Sequence, residues 1–116
     1  MNIRRKTLSR QSRSHLDGVF AALADPTRRA IIARLALGDA YVSELTEPHD
    51  MSFAAVSRHI QVLESTGLAS RIKEGRKIRC RLNAEPLAEV FDWVRHYRRF
   101  WDQKLDSLGD FLEREE

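Results

Sequence analysis

Residues 52–83 read SFAAVSRHIQVLESTGLASRIKEGRKIRCRLN, and within this stretch the hydrophobic period changes from that of a helix to that of a strand. Ser52 can act as an N-cap, accepting from the backbone N–H groups left open in a helix's first turn. Phe53, Val56, Ile60 and Leu63 then recur on one helical face through Ser65, and Gly67 suits the left-handed position that ends a helix. Farther on, Ile78, Cys80 and Leu82 alternate with Lys77, Arg79 and Arg81, the pattern of a strand with one apolar face. Glu74 and Gly75 supply a hairpin turn between that strand and Leu68 to Lys73. The stretch predicts a helix followed by a two-stranded wing.

On a helical wheel, the side opposite the apolar face holds Ala54, Arg58 and Gln61, with Ser57 at its edge. This combination suits readout of the DNA major groove. Arginine can bond guanine bidentately, glutamine can bond adenine, and a small residue lets the helix approach the base edges. An isolated helix with such a face would read as merely solvated, but the neighbouring wing changes the weight of the observation. Its outward row is Lys77, Arg79 and Arg81, joined by Arg71, Lys73 and Arg76, and Glu74 is the only acid between Leu68 and Ala84. A hairpin of nearly one sign is better explained by phosphate contacts than by solvation alone.

Upstream, Tyr41 to Glu47 reads as a short helix with Val42 and Leu45 inward, closed by Pro48. Two helices across a tight connection suggest a helix-turn-helix. Before them, Asp25 and Pro26 form an N-cap and first-turn pair ahead of Ile31, Ile32 and Leu35, and Leu16, Val19, Phe20 and Leu23 mark an earlier short helix. Downstream, Pro86 opens a helix expected to run to about Leu112, with Leu87, Val90, Phe91, Val94, Tyr97, Trp101, Leu105, Leu108 and Leu112 on its apolar stripe. The expected architecture is mainly α with a small two-stranded β-wing, a winged helix-turn-helix of order α-α-α-α-β-β-α. Residues 1–14 are expected to form a basic flexible tail, and 15–116 a single DNA-binding and dimerisation domain.

Composition bounds the alternatives. With 116 residues, 42% hydrophobic and 32% charged, the chain has the balance of one globular domain. The net charge of +3 hides an asymmetry, because Arg4, Arg5, Lys6, Arg10 and Arg13 lie in the first 14 residues with no acid among them. Without those five, 15 basic residues face 17 acidic ones, so the body must be judged by where its charges sit. The tail could follow a groove or the phosphates as a basic arm. No apolar run is long enough to span a bilayer and no apolar core follows the basic start, so a cytoplasmic location is expected. The histidines at 15, 49, 59 and 96 are scattered, with no nucleophile or phosphate loop beside them, so no enzymatic role is expected. Cys80 is alone and falls on the inward phase of its strand, which reads as a buried, inert thiol.

The segments LADPTRRAIIARLALGD (23–39), VSRHIQVLESTGLASRIKEGRKIRCRLN (56–83) and EPLAEVFDWVRHYRRFW (85–101) resemble, in order and spacing, the ArsR/SmtB family of winged-helix repressors. The resemblance implies a symmetric dimer that places its recognition helices in successive major grooves of a partly palindromic operator. Carried over by position, it implies DNA contacts from Ser52, Ser57, Arg58 and Gln61 on the helix and from Lys73, Arg76 and Lys77 on the wing. Ala54 and Arg79 join that set from the wheel and the strand alternation. His59 lies in the matched motif but near the core boundary, and reads as structural. LADPTRR reads as a helix start from which Arg28 or Arg29 could reach a phosphate.

Metal-sensing members of the family place two cysteines on the short helix before the turn, where this sequence has Tyr41 and Ser43. Asp92 and His96 share a face of the C-terminal helix but lack the further ligands zinc requires, so the pair reads as ordinary helix surface. The sequence resembles the metal-independent branch, with Trp93, Tyr97, Phe100 and Trp101 as its C-terminal aromatic pattern. No cofactor is called for, and no residue pattern names an inducer. The long C-terminal stripe exceeds what a small body can cover, so a homodimer interface is expected from Leu16, Val19, Phe20, Val90, Val94, Tyr97, Trp101, Leu105 and Leu108. Two alternatives remain: a winged helix used only for protein interaction, which would need no basic wing, and a metal-responsive repressor using a C-terminal-helix site.

Overall fold

The computed structural model describes residues 15–115, so the expected basic tail at 1–14 lies outside the described residues. Residues 15–23 are helical (α1), followed by α2 (Pro26–Leu35), β1 (Ala40–Tyr41), α3 (Val42–Thr46), α4 (Phe53–Ser65), β2 (Ala69–Glu74), β3 (Lys77–Leu82), α5 (Glu85–Arg95) and α6 (Arg98–Glu115).

The corner between α1 and α2 is built by three side chains of the DPTRR stretch. Asp25 accepts from the backbone N–H of Arg28 at 3.0 Å, which closes the open first turn of α2. The two arginines reach back the other way. Arg28 donates to the carbonyls of Ala22 (2.7 Å) and Ala21 (3.1 Å), and Arg29 donates to that of Leu23 (2.7 Å). These are last-turn carbonyls of α1, which have no partner within their own helix. The stretch forms the helix start that the sequence suggests, and the two arginines that could have reached a phosphate are both engaged in joining two helices.

Helix α4 begins and ends as its sequence predicts. The Ser52 hydroxyl accepts from the Ala55 N–H at 3.1 Å, and Gly67, at φ +78°, turns the chain so that the Leu68 N–H reaches the Leu63 carbonyl at 2.9 Å. Val56, Ile60 and Leu63 are fully buried, sharing the core with Val19, Ile31, Leu45, Leu68 and Cys80. Phe53 departs from the expected apolar face and is 54% exposed. It is in phase with Val56 and Ile60, but as the first helical residue it lies beyond the end of the core.

The sheet has three antiparallel strands in the order β1-β3-β2, one more than the two-stranded wing expected. The added strand pairs Ala40 with Cys80 and Tyr41 with Arg79. Two residues are too few to show a period of two, and their partners are far along the chain, so no local pattern announces them. The C-terminal helix also differs from expectation, because α5 stops at Arg95 and α6 starts at Arg98. At the break the Tyr97 N–H bonds the Val94 carbonyl at 2.9 Å, one residue nearer than an α-helix would use, and neither proline nor glycine marks the place. No helix is long and apolar enough to cross a membrane among the described residues.

Candidate nucleic-acid interface

Helix α3 buries Val42 and Leu45, which leaves α4 as the second, outward helix of the pair. Ala54, Arg58 and Gln61 are exposed along it, as the wheel predicts, and Ser57 is half-buried at the edge. The Ser52 hydroxyl is occupied by the cap described above.

The wing is tied to this helix by one residue. Arg71 of β2 donates to the Ser57 hydroxyl at 3.2 Å and sits 2.7 Å from the Glu64 carboxylate. The hairpin and α4 therefore lie side by side. Between the wing turn and the start of α3 opens a cleft of about 200 Å³, lined by Tyr41, Val42, Ser43, Arg76, Lys77 and Ile78 with Phe53 from the first turn of α4. A larger groove of about 750 Å³ runs between α2 and α3, but none of the expected DNA-contacting residues lines it.

Charge on the wing is less uniform than the sequence suggests. Lys73, Arg76 and Lys77 are exposed around the hairpin turn, where Gly75 takes φ +62°. Among the described residues, none of these three, nor Arg58, is in an ion pair, although the Lys77 ammonium lies 4.9 Å from the centre of the Tyr41 ring. Arg79 is placed differently. It donates to Glu74 at 2.7 Å and to Asp39 at 2.6 Å. Arg81 also donates to Asp39, at 3.2 Å. The hydrogen bond from Arg81, helped by Arg79, holds the Asp39 carboxyl below the usual carboxylate range. Glu74 in turn accepts from the Tyr41 hydroxyl at 3.1 Å, and this hydrogen bond, with the carboxylate's charge adding to it, raises the phenol above its ordinary value. The outward row of three cations thus contains two, Arg79 and Arg81, whose charge is already matched. Asp39 escapes a reading confined to the wing because it precedes β1.

His59 lies behind the interface. Its Nδ1 is 3.2 Å from the Arg28 guanidinium and 3.9 Å from Asp25. Arginine can only donate, so Nδ1 accepts and the ring proton sits on Nε2. The histidine is structural, as the sequence suggests, but its partner is the helix corner rather than nearby backbone. Cys80 is fully buried, and that burial pushes its thiol up to about 11. Asp92 lies 3.5 Å from Arg95, and among the described residues no group of three or more His, Cys, Asp or Glu is arranged to hold a metal ion.

A second surface is apolar. Phe20 of α1 meets Trp93 of α5 edge-on at 5.3 Å, and Trp93 packs on Tyr97 at 5.2 Å, so α1 and α5 share one face. Val94, Tyr97, Trp101, Leu105 and Leu108 continue it, all exposed, with Trp101 at 51%. Leu16 and Val90 are half-buried at its inner edge. Val19, grouped with this surface by its spacing, is instead 0% exposed inside the chain's own core and has no area left to offer a partner. Trp93, 44% exposed, is a member that the expected interface set omits. Trp93 stands in the aromatic pattern, and its contact with Phe20 is the signal that places it here.

Comparison with known proteins gives a consistent picture. A helix-turn-helix domain model matches residues 23–72. The HTH-type transcriptional regulator Rv2034 of Mycobacterium tuberculosis is 34% identical over 99 residues, spanning 85% of this chain and 90% of that protein. The crystal structure of the ArsR family transcriptional regulator RHA00566 superposes with a TM-score of 0.72 at 42% identity, covering 77% of this chain and 92% of that one. The solution structure of a homodimeric winged helix-turn-helix DNA-binding domain from Mycobacterium bovis has a TM-score of 0.60 at 26% identity, over 88% of this chain and 89% of its own.

Proposed function

This chain belongs to the ArsR family of winged helix-turn-helix transcriptional regulators, and from that premise we propose that it is a cytoplasmic, metal-independent repressor that binds a partly palindromic operator as a homodimer. Helix α4 enters the major groove, where Arg58 and Gln61 read base edges, Ala54 permits close approach and Ser57 contacts the DNA from the helix edge. Lys73, Arg76 and Lys77 hold phosphates from the wing, and Ser52 positions the end of the helix that points into the groove. Arg79 shapes the wing more than it touches DNA. The protein has no catalytic role.

One observation carries this reading. Arg71 ties the hairpin to α4 through Ser57 and Glu64, Arg76 and Lys77 share a cleft with Phe53 at the start of α4, and among the described residues Lys73, Arg76 and Lys77 are exposed and outside any ion pair. Wing cations that meet phosphates displace counterions, so affinity falls steeply with salt. Duplication of the surface by a two-fold axis through α1, α5 and α6 would present it twice, as a palindromic site requires. Metal independence is supported by Tyr41 and Ser43, which stand where metal-sensing members carry cysteines.

Selection of bound duplexes from random DNA, followed by a salt titration on the winner, tests the proposal. A palindromic consensus with a steep salt slope is the expected result. Loss of base preference at single positions in Arg58→Ala and Gln61→Ala would mark them as readers, and a uniform loss of affinity would mark them as backbone anchors. Failure to select any sequence would overturn the function.

A further inference from the structure

Phe53, the first residue of α4, lines the cleft between the start of α3 and the wing turn with a ring that the core does not use. Phe53 is 54% exposed, although the residues in phase with it, Val56 and Ile60, are fully buried. The cleft's lining also includes the apolar Val42 and Ile78, the Tyr41 ring, Ser43 and the two cations Arg76 and Lys77, with no carboxylate among the described residues. That pairing of apolar and cationic side chains fits a nucleotide strand, which carries phosphate on one side and base on the other.

Among the groups a base pair presents in the major groove, the thymine C5-methyl is the apolar one, and aromatic side chains are among its known partners. The methyl lies toward the backbone side of its base, near the strand that would pass between helix and wing. We propose that Phe53 contacts the C5-methyl of one thymine in each half-site, while Arg76 and Lys77 hold the phosphates of the same strand. This inference rests on the DNA-binding reading above. It gives the operator a dependence on the thymine methyl that Arg58 and Gln61, which recognise hydrogen-bonding edges, do not supply.

Deoxyuridine tests it, because it removes the methyl and leaves the pairing edge intact. In the duplex recovered by selection from random DNA, thymines are replaced by uracil one position at a time. One position per half-site is expected to weaken binding about fourfold, the effect of one buried methyl-sized group. Phe53→Ser is expected to bind the thymine and uracil duplexes equally. Val62→Ala, changed at an exposed residue of the same helix with no assigned DNA contact, is expected to retain the uracil penalty. Wild-type binding that is indifferent to uracil at every position would overturn the inference while leaving DNA binding intact. So would a penalty undiminished in Phe53→Ser, or one that disappears in Val62→Ala. Wild-type protein that binds no DNA at all would overturn both readings, which tells the two failures apart.

Discussion

Asp39 accepts a 2.6 Å hydrogen bond from Arg79, a residue of the strand that pairs with β1 immediately after it. The contact divides the wing's cations into two groups. Arg79 and Arg81 are neutralised within the chain, whereas among the described residues Lys73, Arg76 and Lys77 are in no ion pair and are exposed.

Alanine substitution of Arg76 or Lys77 should therefore lower the salt slope of DNA binding by about 1 per protomer, uniformly across sequences. Arg79→Ala should change the slope less and lower the melting temperature instead, since it leaves Asp39 and Glu74 with fewer partners. Asp39→Asn removes the charge that matches Arg81, leaving Arg79 paired with Glu74 alone, and should steepen the slope. A salt titration of all four variants on one duplex checks the ordering, and an Arg79→Ala slope change as large as that of Arg76→Ala would contradict it.

Ser52 separates helix capping from DNA contact. Ser52→Ala removes the acceptor for the Ala55 N–H and should cost about 1 kcal/mol of stability. Ser52→Asp keeps a good cap, and so should melt near wild type, but places a carboxylate against phosphates and should bind DNA more weakly. Melting curves and binding isotherms on the same preparations separate the two effects.

Trp101 lies on the exposed stripe of α6, where a charge should disturb association more than folding. Trp101→Glu is expected to be monomeric by sedimentation equilibrium, to keep its helical circular dichroism, and to lose operator binding. A variant that stays dimeric would move the interface away from α6.

His15 joins three parts of the fold. Its Nε2 faces the Thr66 carbonyl at 3.0 Å and its Nδ1 faces the Glu89 carboxylate at 2.8 Å. Both neighbours are acceptors, so the doubly protonated ring satisfies them best. The Thr66 carbonyl, with Glu89 adding to it, raises the histidine above its ordinary 6.5. A raised value means that the contribution to stability is fully present below 6.5 and is lost as pH rises through the folded-state value. Wild type should lose melting temperature across that window relative to His15→Gln. Parallel pH profiles of the two proteins would exclude the linkage.

Caps and periods were legible because they are local. Ser52 and Asp25 each bond to a backbone N–H three residues on, and Val56, Ile60 and Leu63 repeat within one helix, so a short window holds the whole signal. The turn at Gly75, the inward phase of Cys80 and the outward Ala54, Arg58 and Gln61 are of the same kind. These features determined the order of elements and the composition of the surface offered to DNA.

Tertiary structure decided which members of that surface are available. Arg79 pairs with an acid outside the wing, Arg28 turns from solvent to the carbonyls of α1, and Arg71 spans from β2 to α4. Val19 and Phe53 each follow the phase of an apolar face, yet one is sealed in the core and the other half in water, because phase fixes direction and only the extent of the core fixes cover. Charge matching and burial depend on distances between residues remote in sequence, and those distances exist only once the chain has closed on itself.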